Sequence, residues 1–272
     1  MQIGGGFAGT INHSSPRPCC DWESGAPLPA LPRTAVREIS LQRSCHVDGM
    51  PAVRLNPPVP GNKNEGLYSY ERNGERRLLK ILSWDCSTPS HGLIEALQGM
   101  KLGAQVGGPM VFEYGRIHDD YARRGWFVEM EHIFHGLESV TLKELLLPGG
   151  DVKRLLEWGC VPRMAALIVG ALARGVSPFD IDFIAAREGV RFIDTQWFKR
   201  WEERANGHAC WASVFNTLGK LDQREPEVAR RLMLEIEQLW ILADVSLRQI
   251  EGSAQVVNAM SLQFAGFGPR RR

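Results

Sequence analysis

A change of periodicity near residue 140 limits most strongly what this 272-residue chain can fold into. Before that point, short runs of branched and aromatic residues, such as "GLYSYERN" and "RRLLKILSW", are separated by Pro-Gly and Asn-Gly pairs, as is typical of antiparallel strands. After it, apolar residues recur every three or four positions over long stretches, which indicates helices. This order predicts an α+β fold with a strand-rich part followed by a helical part.

The strand-rich part contains one predicted helix. The runs "AVRLNPP", "GLYSYERN" and "RRLLKILSW" predict an antiparallel meander. The helix follows in "STPSHGLIEALQGMKLGA", which opens with residues typical of helix caps and ends at Gly103. Two further strands are predicted at "GPMVFEYGRI" and "GWFVEMEHI", and the more apolar second one is expected to be more central in the sheet.

The helical part is interrupted by one predicted hairpin. A capped helix is expected in "SVTLKELLL", and residues 151–174 predict a long buried helix despite Pro162. The short runs "DFIAA" and "VRFID" are separated by Arg187-Glu188-Gly189 and suit a β-hairpin. An amphipathic helix is predicted to follow in "EPEVARRLMLEIEQLWILADVSLRQIE".

Composition suggests where the folded region ends. Residues 1–45 are rich in Gly, Ser and Pro and predict a flexible leader, and 256–272 predict a flexible tail. The folded region is then expected to divide into 46–137 and 138–255. A net charge of +1 provides no general attraction for nucleic acid or an anionic membrane, and the six cysteines form no CxxC pair typical of zinc sites.

The sequence contains no apolar run near the roughly 20 residues that a membrane span needs, and its N-terminus lacks the pattern of a signal peptide. The expected location is the cytoplasm, or the cytoplasm of a host cell if the leader directs export.

Three aspartates border the predicted hairpin. In "SPFDIDFIAAREGVRFIDTQWF", Asp180 precedes the first run of the hairpin and Asp182 begins it. Asp194 ends the second run. A carboxylate buried in apolar structure must be paired, bound to a metal or neutralised. These positions are therefore the strongest indication of a functional site.

Residues 52–250 resemble the protein-kinase-like fold, with a small β-rich N-lobe containing one helix and a larger helical C-lobe. Lys80 resembles the third-strand lysine that contacts nucleotide phosphates, and Glu95 the helix glutamate that pairs with it. Gly61 and Gly66 stand where the family has its glycine-rich loop, without matching that motif. The resemblance also implies that backbone groups near Glu129 and Glu131 contact adenine.

The aspartates complete the resemblance. Asp180 is similar in position to the aspartate that orients the attacking hydroxyl, and Asp194 to the aspartate that binds magnesium. Pro178-Phe179 replaces His-Arg, and Ala185 replaces the second magnesium ligand, an asparagine. Asp182 is the candidate substitute, since residues i and i+2 of a strand share a face. Alternatively Asp182 is the catalytic residue and Asp180 only ends the loop; we favour Asp180.

The resemblance implies ATP-dependent phosphoryl transfer with Mg²⁺, and we expect a protein hydroxyl as acceptor, as for a bacterial effector. Two alternatives keep the nucleotide: a pseudokinase acting as a binding module, and a small-molecule phosphotransferase. A third is a helical interaction protein without a nucleotide site. The sequence indicates neither the acceptor nor the oligomeric state.

Overall fold

Seven strands of the N-terminal part close into a barrel in this computed structural model, which describes residues 37–55, 66–84, 91–200 and 207–242. Around the barrel their order is β1-β2-β3-β4-β5-β7-β6, and one helix, α1, lies between β5 and β6 in the chain. Neighbouring strands are antiparallel except β1 and β6, whose parallel pairing closes the barrel. The bounds are β1 Arg37–Gln42, β2 His46–Val47, β3 Met50–Arg54, β4 Gly66–Arg72, β5 Glu75–Trp84, α1 His91–Gln105, β6 Val111–Asp119 and β7 Arg124–Glu131.

The predicted meander is confirmed for β3, β4 and β5, but the barrel was not predicted. Its closing strand, β1, lies inside the stretch assigned to a flexible leader ending at residue 45, so that boundary was wrong. Ile39 and Leu41 of β1 are buried in the barrel core, as the alternation in "REISLQ" requires. The Gly- and Pro-rich composition of the preceding residues obscured this short alternating run.

Strand β7 occupies the central position that its apolar sequence predicts. It pairs with β5 on one side and β6 on the other, and six consecutive residues are buried. Phe127 packs inside the barrel, whereas Trp126, Val128 and Met130 pack outside it against α1. This two-sided burial places α1 on the outer surface of the barrel.

The C-terminal part packs helices around the predicted hairpin, which is confirmed as β10 and β11. Strand β8 adds to β10, and β9 pairs separately with β12. Among the described residues, no helix is both long enough and apolar enough to cross a membrane. The bounds are β8 Ser139–Thr141, α2 Leu142–Leu146, α3 Arg154–Glu157, α4 Cys160–Ala173, β9 Val176–Ser177, β10 Asp182–Ala186, β11 Gly189–Ile193, a 3₁₀ turn Thr195–Trp197, β12 Lys199–Arg200, α5 Gly207–Arg224 and α6 Pro226–Leu242.

The predicted helix over 151–174 is broken into α3 and α4. Gly159, between them, has a φ of 62°, in the left-handed region that glycine adopts without strain. Pro162 then lies in the first turn of α4, where a backbone N–H has no acceptor within the helix. The terminal helix is confirmed over α6, and the remainder of its predicted range lies outside the described residues, as does the predicted tail.

Candidate active site

A cavity of about 720 Å³ opens between the barrel and the helical part. Apolar side chains from both parts line much of it, including Leu78, Met130, Val140, Ile184 and Ile193. Charged residues line it as well, and we call four of them the cleft cluster: Lys80, Lys143, Asp182 and Asp194. An apolar cavity with a few convergent polar groups is the usual form of a small-molecule site.

Lys80 and Asp194 meet across the cavity. Lys80 lies in the middle of β5, and Asp194 follows β11 with a left-handed backbone, so that the two parts of the molecule contribute one residue each. The ammonium Nζ of Lys80 is 2.5 Å from Oδ1 of Asp194 and 3.0 Å from Oε1 of Gln196. Burial opposes ionisation of Asp194, but the adjacent Lys80 and Lys143 ammonium groups outweigh it and lower the pKa of the carboxyl.

Asp182 is the most deeply buried member of the cleft cluster. It begins β10, is 2% exposed, and its Oδ1 accepts hydrogen bonds from the backbone N–H groups of Phe183 and Lys143. Burial raises the pKa of its carboxyl to about 6, and the neighbouring Lys143 ammonium opposes that shift. Asp182 and Ile184 share the face of β10 that lines the cavity, whereas Phe183 and Ala185 pack into the helical core.

Lys143 is a member of the site that sequence reasoning missed. It lies in the first turn of α2, and its Nζ is 3.4 Å from Oδ2 of Asp182 and 3.4 Å from Oδ2 of Asp194. Burial lowers the pKa of Lys143, but the two neighbouring aspartates raise it by more, so the pKa lies above its ordinary value. The capping pattern predicted the helix, but a lysine there resembles any exposed helix residue until β8 places α2 beside β10.

Close contact at two glycines attaches α1 to the site. A Cβ atom on Gly99 would lie 2.2 Å from the carbonyl oxygen of Gln196, and one on Gly103 would lie 2.3 Å from Cβ of Thr195. Such distances leave no room for any side chain at either glycine. The two glycines thus allow α1 to pack directly on the 3₁₀ turn that follows Asp194.

The predicted pairing of Glu95 with Lys80 stays a prediction. Glu95 does lie on α1 as expected, but the side-chain partners of Lys80 are Asp194 and Gln196. Of the two glycines expected near the phosphates, Gly66 begins β4 and lines the cavity. Gly61 lies outside the described residues.

The side chain of Glu129 points into the barrel, whereas the expected contact of backbone groups near Glu129 with adenine stays a prediction. Glu129 is 1% exposed, and its carboxylate accepts hydrogen bonds from the hydroxyl of Tyr70, from Arg72 at 3.0 Å and from Arg37 at 3.2 Å. Glu113 pairs with the same two arginines. We call these five residues the barrel cluster. Burial and the Glu129 carboxylate raise the pKa of Tyr70.

Glu131 does line the cavity, but its polar groups are already paired. Its carboxylate contacts Arg191 at 3.0 Å and accepts from the backbone N–H of Met110, and its own N–H donates to the carbonyl of Met110. Residues 132–137, after the end of β7, line this side of the cavity instead. The expected contact of backbone groups near Glu131 with adenine stays a prediction.

Asp180 does not share the face of Asp182. Strand β10 begins at Asp182, and Asp180 has a φ of 52°, so the alternation of strand faces does not extend back to it. Asp180 is exposed and is not among the residues that line the cavity. It nevertheless contributes to the raised pKa of Lys143, which places it near the rim of the cleft cluster.

The two cleft aspartates have the donor chemistry that Mg²⁺ requires. Asp182 and Asp194 each direct Oδ2 to the same Lys143 ammonium, so these oxygens converge on one point. Mg²⁺ is commonly held by one or two carboxylates together with substrate phosphates and water. Within the described residues, no group of three or more His, Cys, Asp and Glu side chains forms a site made by the protein alone.

Comparison with known proteins gives likenesses of overall structure only. No protein-family model and no curated protein matches the sequence. One similar solved structure is WaaP in complex with acyl carrier protein, with 15% identity over 76% of this chain and 87% of that chain and a TM-score of 0.40. Another is the Neurospora crassa PAN3 pseudokinase, with 14% identity over 79% of this chain and 63% of that chain and a TM-score of 0.43. At these low scores and identities, neither likeness supports an argument about function.

Proposed function

We propose that the chain is a kinase-like phosphotransferase that binds ATP in the cleft. The observation that carries this proposal is the meeting of Lys80 and Asp194, 2.5 Å apart, at a cavity with an apolar wall. Phosphoryl transfer requires a cation on the phosphates and carboxylates for the metal, and both lie here within one cluster. The apolar wall is suited to a flat base such as adenine.

Three members of the cleft cluster and Asp180 have roles in this proposal. Lys80, from the barrel, binds the phosphates of the nucleotide, and Asp194 and Asp182 hold Mg²⁺. A bound Mg²⁺ would neutralise charge on the phosphates. Asp180, exposed at the rim, accepts a hydrogen bond from the acceptor hydroxyl and orients it.

The acceptor in this proposal is a hydroxyl on another protein. Phe179 and Trp197 adjoin Asp180 and the 3₁₀ turn, and each is 41% exposed. Phe179 follows β9 by two residues and Trp197 precedes β12 by two residues, and these two strands pair with each other. Exposed aromatic side chains beside a cleft suit an acceptor that contacts the surface outside it.

The test is the thermal unfolding of the full chain with ATP and Mg²⁺. A nucleotide that binds only the folded state at 100 times its Kd stabilises it by about 2.7 kcal/mol, which raises Tm. We expect Lys80→Met to abolish the shift and Lys220→Met, an exposed lysine on α5, to preserve it. An unchanged Tm for the wild type at millimolar ATP refutes the proposal.

A second candidate, a nucleotide-binding module without chemistry, is favoured by the position of Asp180 outside the cavity lining. Transfer of labelled phosphate to a mixed Ser, Thr and Tyr peptide pool distinguishes the two. An enzyme transfers label, and Asp180→Ala removes transfer while retaining the ATP-dependent rise in Tm. A Tm shift without any transfer to peptide or to the chain itself supports the binding module.

A further inference from the structure

Lys143 occupies the point at which the two cleft aspartates converge. Oδ1 of Asp194 contacts Lys80, and Oδ1 of Asp182 accepts from two backbone N–H groups. The remaining oxygen of each carboxylate, Oδ2, is directed to Nζ of Lys143 at 3.4 Å. A divalent cation bound by both aspartates needs these same two oxygens, because the other two already have close partners.

The backbone of Lys143 is held while its side chain is not. Its N–H donates to Asp182 at 3.3 Å, and a capping box between Thr141 and Glu144 fixes the first turn of α2. The side chain of Lys143 is 59% exposed, whereas that of Asp182 is 3% exposed. The ammonium group can therefore move into solvent without disturbing the aspartate, which keeps both backbone hydrogen bonds.

The charges of the cleft favour exchange over simultaneous binding. Two lysines and two aspartates balance each other in the cleft cluster, and a divalent cation would add two positive charges within a few ångströms of Lys80 and Lys143. Like charges at that separation repel strongly in a partly buried site. A cation that binds both Oδ2 atoms must therefore displace the ammonium group of Lys143.

We propose that Lys143 is a displaceable internal cation: its ammonium and a divalent metal ion bind in alternation between Oδ2 of Asp182 and Oδ2 of Asp194. The role of this exchange rests on the proposed function, in which the metal ion supports phosphoryl transfer. Lys143 keeps the two carboxylates paired in the nucleotide-free protein. Once displaced, the ammonium group is free to reach the phosphates.

The experiment is a titration of the nucleotide-free chain with Mn²⁺, followed by the electron paramagnetic resonance signal of the free ion. Lys143→Met removes the competing cation, and we expect it to bind Mn²⁺ about tenfold more tightly than the wild type at pH 7.5. Lys220→Met, on α5, is the matched control and is expected to match the wild type. Adding Asp194→Asn to Lys143→Met should abolish the gain, which locates the ion.

Equal or weaker Mn²⁺ affinity in Lys143→Met, or no Mn²⁺ binding by either protein at millimolar concentration, overturns the proposal. If Lys143→Met does not fold, as judged by circular dichroism, Lys143→Gln provides the same comparison with a polar side chain. Tighter Mn²⁺ binding without an ATP-dependent rise in Tm refutes the proposed function and leaves the exchange standing. An ATP-dependent rise in Tm with unchanged Mn²⁺ affinity in Lys143→Met refutes the exchange and leaves the proposed function standing.

Discussion

The barrel cluster and the cleft cluster are both networks of ion pairs, and they differ in what surrounds them. In the barrel cluster, a nearly inaccessible carboxylate, Glu129, is satisfied by two arginines and a tyrosine that all come from barrel strands. In the cleft cluster, the charges come from β5, α2, β10 and the end of β11, and they line a cavity. Both clusters are held by ion pairs, and the cleft cluster lines a cavity with space for a ligand.

This comparison separates a structural ion network from a site. A buried carboxylate with all partners on one rigid sheet contributes to the integrity of that sheet, and breaking it is costly. A pair whose members belong to two different parts of the molecule, with one lysine half in water, can rearrange. Charge content alone does not distinguish the two clusters; the empty volume beside the charges does.

The largest expected effect is on the barrel cluster. Glu129→Ala leaves Arg37, Arg72 and Tyr70 without their buried partner, so we expect a loss of about 3–5 kcal/mol in the free energy of unfolding, measured by urea denaturation. Glu38→Ala, on an exposed residue of β1, should change it by no more than about 0.5 kcal/mol.

The cleft provides the counterpart to that measurement. Asp194→Asn keeps the shape of the side chain and an oxygen that can accept from Lys80, and Lys143 can turn into water, so we expect a cost of only about 1–2 kcal/mol. If Asp194→Asn costs as much as Glu129→Ala, the distinction between a structural and a rearrangeable cluster fails.

The next effect concerns the contact that joins the barrel's helix to the cleft. Gly99→Ala places a Cβ against the carbonyl of Gln196, and we expect it to cost about 1–3 kcal/mol of stability and to reduce the ATP-dependent rise in Tm. Gly219→Ala is a matched control, since no atom of the described residues outside its own helix backbone and chain neighbours lies within 4 Å of its added Cβ. It should stabilise helix α5 by up to about 1 kcal/mol. A normal ATP response in Gly99→Ala would mean that this contact does not position Asp194.

The smallest expected effect is an increase, rather than a decrease, in the free energy of unfolding. The pKa of Asp182 rises from 3.8 to about 6 on folding, so the folded state binds more protons between these pH values and stability from this group falls as pH rises through them. Asp182→Asn removes the ionisable carboxyl, and we expect it to stabilise the chain by about 1–2 kcal/mol at pH 7.5 and to flatten this pH dependence.

Asp180→Asn is the control for that variant, because Asp180 is exposed and asparagine tolerates its left-handed backbone. Its free energy of unfolding should lie within about 0.5 kcal/mol of the wild type at both pH 5 and pH 7.5. Destabilisation of Asp182→Asn at pH 7.5 would show that the Lys143 contact outweighs the cost of burying the charge.

Local patterns were sufficient for most elements of the fold. The hairpin of β10 and β11, the capped helix α2 and the buried strand β7 follow from alternation, capping residues and continuous apolar runs, which act within a few residues. Prediction failed where partners are distant in sequence. Nothing in "REISLQ" indicates that β1 closes a barrel against β6, and Gly159 breaks a helix whose apolar spacing continues through it.

The sequence by itself determined which residues carry unusual chemistry: Lys80 on a strand, and aspartates beside a hairpin. Only the tertiary structure decided which of them meet, because contacts across the cavity depend on how β5, α2 and the hairpin pack together. Lys80 meets Asp194, and Lys143 enters the site through the pairing of β8 with β10. The side chain of Glu129 lies inside the barrel because a strand within a closed barrel directs alternate side chains into the core.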